Sequence, residues 1–286
     1  MSENGKVQNI LVTGAAGMIG SAVSDGLLSA GYRVIGVDIR DNGKTSLDYL
    51  HCTVDLSDTD SVRRIIKENN VDRVVHLAAL AHSTNGKKYT WDDYKHLNVD
   101  CSVSLFEAAD EVPVLFISTV DVYGFARGTV NTDTEPKPVS HYALSKTMAE
   151  TECKKLPSYT IFRLSPVYTD TVKRDIQKRY YLKFPNIAYR IGKGTEYEIL
   201  NINGAVSAIV DWCGTAVKND IHIIKDPVRM YTPDYINAER AKGRAKTVLC
   251  IPAWMVKAGY SVLKAFTGEN KYTYLLHKAV CPLRSE

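Results

Sequence analysis

Five apolar runs of strand length punctuate the first 165 residues, and most gaps between them carry helical spacing. The runs are "VQNILVT" (7–13), "RVIGV" (33–37), "RVVHLAA" (73–79), "VLFIST" (114–119) and "TIFRLS" (160–165), with "LHCTV" (50–54) as a weaker sixth. Helical stretches lie around 18–30, 58–69, 91–110 and 140–156. Between Asp58 and Asn70, for example, Val62, Ile65 and Ile66 make one apolar stripe. Near-continuous apolar strands that alternate with helices have both faces to bury. They predict a doubly wound parallel sheet with helices on either side, an α/β fold.

The pattern changes after Tyr168, where the chain becomes more aromatic, basic and irregular. The expected division is residues 1–169 as the sheet domain and 170–286 as a smaller substrate-binding portion. The run "IHII" (221–224) is a candidate strand returning to the sheet. In "TPDYINAERAKG", Thr232 is the expected N-cap, Pro233 the first helical residue and Gly243 the stop.

The first run passes directly into Gly14, Gly17 and Gly20, which open a helix. Glycines there permit a tight turn, close approach of a pyrophosphate and close helix–strand packing. The helix N-terminus offers free amides and a positive dipole end. The spacing is G-x-x-G-x-x-G, and Asp38 ends the second run about 20 residues further on. A carboxylate in that place accepts ribose hydroxyls and repels a 2′-phosphate. NAD is therefore expected ahead of NADP, although Arg40 is near enough to serve a 2′-phosphate. The sheet is of Rossmann type.

"HYALSKTMAE" sets Tyr142 and Lys146 one helical turn apart on one face. A phenol with a pKa near 10 becomes a usable proton acceptor when an ammonium favours its phenolate. The bare pattern also occurs at Tyr189/Lys193, Tyr260/Lys264 and Tyr274/Lys278. Position distinguishes Tyr142: its helix follows the run that ends in Ser118 and Thr119, and ligands of open α/β sheets bind beyond such strand ends.

Composition excludes several other classes. With 36 basic and 32 acidic side chains, well dispersed, the charge of +4 gives no nucleic-acid surface. The six cysteines lie far apart with no Cys-x-x-Cys pair, which argues against zinc and against a disulfide scaffold. They suit a reducing cytoplasm. "MSENGKVQ" lacks an apolar core, so no secretory signal is expected. No run reaches the roughly 18 apolar residues of a membrane span.

In order along the chain, "TGAAGMIG", "VD", "DLSD", "HLAA", "ISTVDVYG", "YALSK" and "RLSPVY" resemble the extended short-chain dehydrogenases/reductases, most nearly their NAD-dependent nucleotide-sugar epimerase/dehydratase group. The resemblance covers about residues 7–168. It implies Thr119, Tyr142 and Lys146 as a catalytic set with Ser118 beside it. It implies that Gly14, Ala16, Gly17, Met18, Ile19 and Gly20 cradle the dinucleotide, with Asp38, Ile39 and Arg40 at its ribose. Asp55 and Leu56 would flank adenine, and Leu77, Ala78 and Ala79 would lie along the cofactor. Asn98 would stand near the active site among the cofactor-binding residues, Lys146 would also hold the nicotinamide ribose, and Pro166 would border the nicotinamide. The resemblance further implies a homodimer paired through the helices near 91–110 and 140–156.

The chain departs from that group in three places. Where the 4,6-dehydratases carry Thr-Asp-Glu it has Thr119-Val120-Asp121, and Val120 has no proton to give a leaving hydroxyl. "VYTD" replaces "VYGP", and Asn203 stands where many members have an aspartate. The expected activity is NAD-dependent epimerisation of a nucleotide sugar through a keto intermediate. The rivals are a net dehydrogenase or reductase of a secondary alcohol or keto-sugar, and a non-catalytic dinucleotide sensor or scaffold.

Other residues receive plainer readings. His76 is expected to be a satisfied core histidine, His141 structural, and Asp121 a turn cap ahead of a base. His82 and Ser83 stand equally for substrate contact and for simple exposure. Arg190 and Arg229 are candidates for a substrate diphosphate. "PAWMVKAGYSVLKAF" puts Trp254, Met255, Ala258, Val262 and Phe266 on one helical face and Lys257 and Lys264 on another. That helix is expected to pack on the protein, with a membrane-surface role as the lesser reading.

Overall fold

The computed structural model describes residues 7–81, 89–126, 128–171, 174–182 and 187–286. These form two compact units that the chain visits in turn. The first comprises the chain up to Thr119, His141–Leu164 and Ile202–Ile224; the second comprises Val120–Ser140, Ser165–Asn201 and Lys225–Glu286. The single boundary expected at 169/170 is thus replaced by an interleaved division. The chain leaves the sheet at Thr119, before its fifth helix, and returns to it twice.

The first unit contains strands β1 (Asn9–Thr13), β2 (Arg33–Asp38), β3 (Tyr49–Thr53), β4 (Arg73–His76), β5 (Val114–Thr119), β6 (Tyr159–Leu164) and β7 (Asp220–Ile224). They lie in the order β3-β2-β1-β4-β5-β6-β7, all parallel. Leu11 is paired with Ile35 on one side and Val74 on the other. The order reverses between β1 and β4, and ligands of such sheets bind at that switch point.

Its helices are α1 (Met18–Ser29), α2 (Thr59–Glu68), α3 (Trp91–Lys95), α4 (Cys101–Ala109), α5 (His141–Cys153) and α6 (Ile202–Gly214). Val62 and Ile66 of α2, Leu105 and Phe106 of α4, and Ala149 and Cys153 of α5 share one core with Leu11, Ile35, Val74 and Phe116 of the sheet. Helices α1 and α6 pack together so closely that a β-carbon on Gly26 would lie 2.3 Å from Val206 Cγ1. A turn of π-helix, His96–Asp100, joins α3 to α4, so the helical stretch expected over 91–110 is one rod with a local widening.

The second unit packs Ile176, Tyr180, Ile199, Met230 and Ile236 into its own core. Ile187–Ile191 runs parallel to Thr247–Ile251. Helix α7 (Thr232–Ala241) begins one residue earlier than expected, with Tyr231 at the N-cap. The Thr232 hydroxyl is spent instead on the Thr195 N–H, 3.0 Å away. Helices α8 (Ala253–Thr267) and α9 (Lys271–Val280) follow and pack on each other. No helix among the described residues is long and apolar enough to cross a membrane.

Candidate active site

The carboxyl ends of β1, β2, β4 and β5 carry the residues that the sequence singles out. At the end of β1, Gly14 has φ +68°, in the left-handed region that only glycine adopts without strain. A β-carbon on Gly20 would come within 2.1 Å of the Gly14 carbonyl oxygen, so the first turn of α1 can press onto the loop only with glycine there. Gly17 is the N-cap of α1, with no capping side chain and no acid in the first turn. The opening amides of α1 are therefore left for an anion.

Asp38 closes β2 and reaches back to this turn. Its Oδ2 accepts the Ala16 N–H at 3.0 Å, and its Oδ1 accepts the Arg40 N–H at 3.0 Å. The Arg40 side chain is two-thirds exposed, with Nε 3.5 Å from the same carboxylate. Ile39 and Met18 are exposed and Leu56 is buried. Asp55 accepts both the N–H and the hydroxyl of Ser57, which together hold its carboxyl below the usual range. After β4, the N–H groups of Leu77 and Ala78 each donate to Thr13 Oγ1 at 3.2 Å, and Ala79 is exposed beyond them.

A buried polar chain runs from this turn to α5. Because Thr13 Oγ1 already accepts two amides, its hydrogen goes to His76 Nδ1 at 2.7 Å. His76 Nε2 then donates to Ser102 Oγ at 2.8 Å, and Ser102 donates to the Asn98 carbonyl. Burial, reinforced by Lys146, holds His76 well below its ordinary pKa, so it is the neutral core histidine expected. Asn98 sits in the π-turn, fully buried. Its Oδ1 accepts the Leu80 N–H, and its Nδ2 donates to the Leu80 carbonyl and to Ser145 Oγ. It leaves no exposed atom for a cofactor, which corrects its expected place among the contact residues. Asn98 fastens the loop after β4 to α5, where Ser145 in turn donates to the Tyr142 carbonyl.

Ser118 also departs from expectation. Successive residues of a strand point to opposite faces, so Ser118 and Thr119 cannot both meet one ligand. Thr119 is half-buried at the strand end. Ser118 is 3% exposed and donates to Glu150 Oε1 at 2.5 Å. That carboxylate also takes a two-pronged contact from Arg163, Nε at 3.1 Å and Nη2 at 2.7 Å. Lys146 lies one turn before Glu150 on α5, itself 1% exposed, with its ammonium 3.9 Å above the Phe116 ring. Burial pulls Lys146 down from 10.5 to about 7, while Glu150 and Cys153 pull the other way. Thr13, Ser102, Ser145, Glu150 and Arg163 were not singled out from sequence. The i, i+4 spacing of Lys146 and Glu150 was the one available sign of them.

The other Tyr–Lys pairs lack this setting. Tyr189 lies on a strand and donates to the Lys178 carbonyl. Lys264 lies over the Tyr260 ring on α8, with Glu269 at 2.6 Å. Lys278 pairs with Asp121 at 2.5 Å, which makes Asp121 an ion-pair partner. His141 is exposed and edge-on to Trp91. His82 and Ser83 lie outside the described residues. Arg229 faces Glu196 and Glu198, and Arg190 Nε lies 3.2 Å from Cys250 Sγ.

The second unit has its own cleft, lined among others by Asp121, Ser165, Pro166, Arg179, Glu198 and Lys278. Among the described residues, the buried Ser165 Oγ there has no hydrogen-bond partner.

The sequence profile of the NAD dependent epimerase/dehydratase family matches residues 10–215. The chain belongs to that family. It is 31% identical over 161 residues to a putative UDP-arabinose 4-epimerase of Arabidopsis thaliana, a match covering 50% of this chain and 38% of that one. It is 31% identical over 159 residues to a UDP-glucose 4-epimerase of Neisseria meningitidis, covering 50% and 47%. The chain thus spans less than half the length of these relatives. The crystal structure of a UDP-glucuronic acid 4-epimerase from Bacillus cereus in complex with NAD shares the fold, with TM-score 0.69, 23% identity, and 86% and 88% of the two chains covered. The bare glycine turn, the uncapped α1 and the Asp38 carboxylate fit the dinucleotide that the family name implies.

Proposed function

We propose that the protein is an NAD-dependent nucleotide-sugar epimerase that inverts a carbon bearing a free hydroxyl. The observation that carries this reading is the setting of α5: Tyr142 one turn from a fully buried Lys146, on the helix packed against the strand that ends in Thr119. The named relatives are 4-epimerases, so C4 is the centre we assign.

Gly14, Gly17, Gly20 and the amides opening α1 would hold the pyrophosphate, and Asp38 the adenosine ribose. Leu77, Ala78 and Ala79 would run along the cofactor, and Pro166 would border it. Bound NAD would supply a reversible hydride acceptor. Tyr142 would accept the C4 hydroxyl proton and later return it, and Lys146 would favour its phenolate. Thr119 would hydrogen-bond the developing carbonyl oxygen. Ser118 supports this through Glu150 and has no part at the substrate. Val120 can protonate no leaving group, which weighs against dehydration.

We assign a homodimer formed through the helical stretch 91–109 and α5; Leu97 of the π-turn and Leu144 of α5, each over a third exposed, support it. The free cysteines suit a reducing, cytoplasmic setting. Incubation with UDP-glucose, UDP-glucuronic acid and UDP-arabinose tests the activity. Chromatography should resolve a C4 epimer while reduced nicotinamide stays far below product. Reduced cofactor growing in step with an oxidised sugar would identify a dehydrogenase instead.

A further inference from the structure

Helix α8 has two apolar sides, and the fold covers one. Val256, Tyr260 and Leu263 are half-buried, with Tyr260 against the His277 ring of α9 at 5.6 Å between centroids. On the opposite side Trp254 is 69% exposed, Met255 50%, Val262 58% and Phe266 85%. At 100° per residue these positions and Ala258 make one stripe about 120° wide. No residue of α8 is buried, which corrects the expectation that its apolar face packs on the protein. Helix α9 adds Tyr272 and Leu275, three residues apart and both more than 60% exposed. Apolar area of this extent marks a surface with a partner.

Charge indicates the partner. From Lys242 to the end the chain has eight basic side chains against two acidic, while the 241 residues before it have 28 basic against 30 acidic. Some of these cations have carboxylates of their own: Arg244 with Glu239, Lys264 with Glu269, Arg284 with Glu196. Lys242, Lys246 and Lys257 are exposed to solvent. Helix α8 has no acidic residue, so a second copy docked face to face would set like charges together. Its apolar face offers the Trp254 N–H and little else polar to fix the register of a protein partner. An aromatic ring stands at each end of the stripe, as in helices that lie in a bilayer interface.

We propose that α8 lies in the headgroup layer of an anionic phospholipid bilayer, with the Trp254–Met255–Val262–Phe266 face buried and Lys257 toward the phosphates. The association is peripheral and reversible, because α8 is too short to span the membrane.

The test mixes the full chain with vesicles of phosphatidylcholine alone, or of phosphatidylcholine and phosphatidylglycerol. Sedimentation with the anionic vesicles is expected, weakening as salt is raised. Trp254 emission should shift to the blue, and Trp254→Phe should remove that shift. Lys257→Glu changes two charges at about fivefold each, a fall of about 25-fold in partitioning at low salt. Val262→Ser with Phe266→Ser should abolish binding. Both substitutions are on exposed positions, and unchanged NAD affinity would show that the variants are folded.

No sedimentation with either vesicle overturns the proposal. So does equal binding by the Val262→Ser/Phe266→Ser variant, which would mean charge attraction alone. A concentration-dependent dimer that Phe266→Ser dissolves, without vesicle binding, would identify a second copy as the occupant and also overturn it.

Discussion

Among the described residues, Glu150 and Arg163 are the most deeply buried ion pair of the first unit, with side chains 2% and 1% exposed. Glu150→Gln keeps the shape of the group but converts one acceptor oxygen into a donor. Arg163 then loses its Glu150 counter-charge away from water, and either its fork or the Ser118 hydroxyl loses an acceptor. Breaking a buried pair from one side costs about 3–5 kcal/mol. With a urea slope near 3 kcal/mol/M, the midpoint should fall by about 1–2 M. The assay is urea unfolding in a Trp254→Phe background, where the two remaining tryptophans, Trp91 and Trp212, both report on the first unit. Replacing both partners, Glu150→Leu with Arg163→Met, removes the charges together and should recover most of the loss. A fall below about 0.3 M for Glu150→Gln, or a double variant no better than the single, would show that the pair carries no such burial cost.

Other outcomes follow from the same geometry. The folded pKa of Lys146, about 7, lies below its unfolded value near 10.5, so the folded chain binds fewer protons between the two. Lys146 thus makes stability rise with pH across that interval and penalises the fold fully below pH about 7. Lys146→Met should therefore stabilise the cofactor-free protein by a few kcal/mol at pH 6 and by little near pH 10, measured as urea midpoints; a pH-independent difference would contradict this. Tyr142→Phe should lower turnover about 10²–10⁴-fold at nearly unchanged NAD affinity; a loss below about tenfold removes Tyr142 from proton transfer. Calorimetric titration should find NAD bound more tightly than NADP, and Asp38→Asn should narrow the gap; a preference for NADP would assign selection to Arg40.

The sheet was legible because parallel strands buried on both faces read as unbroken apolar runs. Even "LHCTV" emerged as the edge strand β3, and "IHII" as the returning β7. The turn was legible because Gly14 and Gly20 answer steric demands that no other residue meets. The supports beneath the site were not legible. Ser118, Asn98, Glu150 and Arg163 are polar residues whose partners lie 13 to 47 positions away along the chain, and only strand alternation and the packing of α5 bring them together. The interleaving of the two units was hidden for a similar reason, since an apolar helix such as α6 reads alike in either. At α8 the apolar stripe was plain, but a stripe does not say whether protein covers it.

In the proposed reaction the hydrogen removed from the sugar returns to the same carbon. UDP-glucose deuterated at C4, incubated with the protein and resolved by chromatography and mass spectrometry, tests it directly. A C4-inverted product that keeps its deuterium is expected, with no accumulation of reduced nicotinamide and at least about 100-fold slower product formation by Tyr142→Phe. Deuterium accumulating in the nicotinamide beside an oxidised sugar would contradict it. So would tight NAD binding without turnover of any nucleotide sugar on a broad panel.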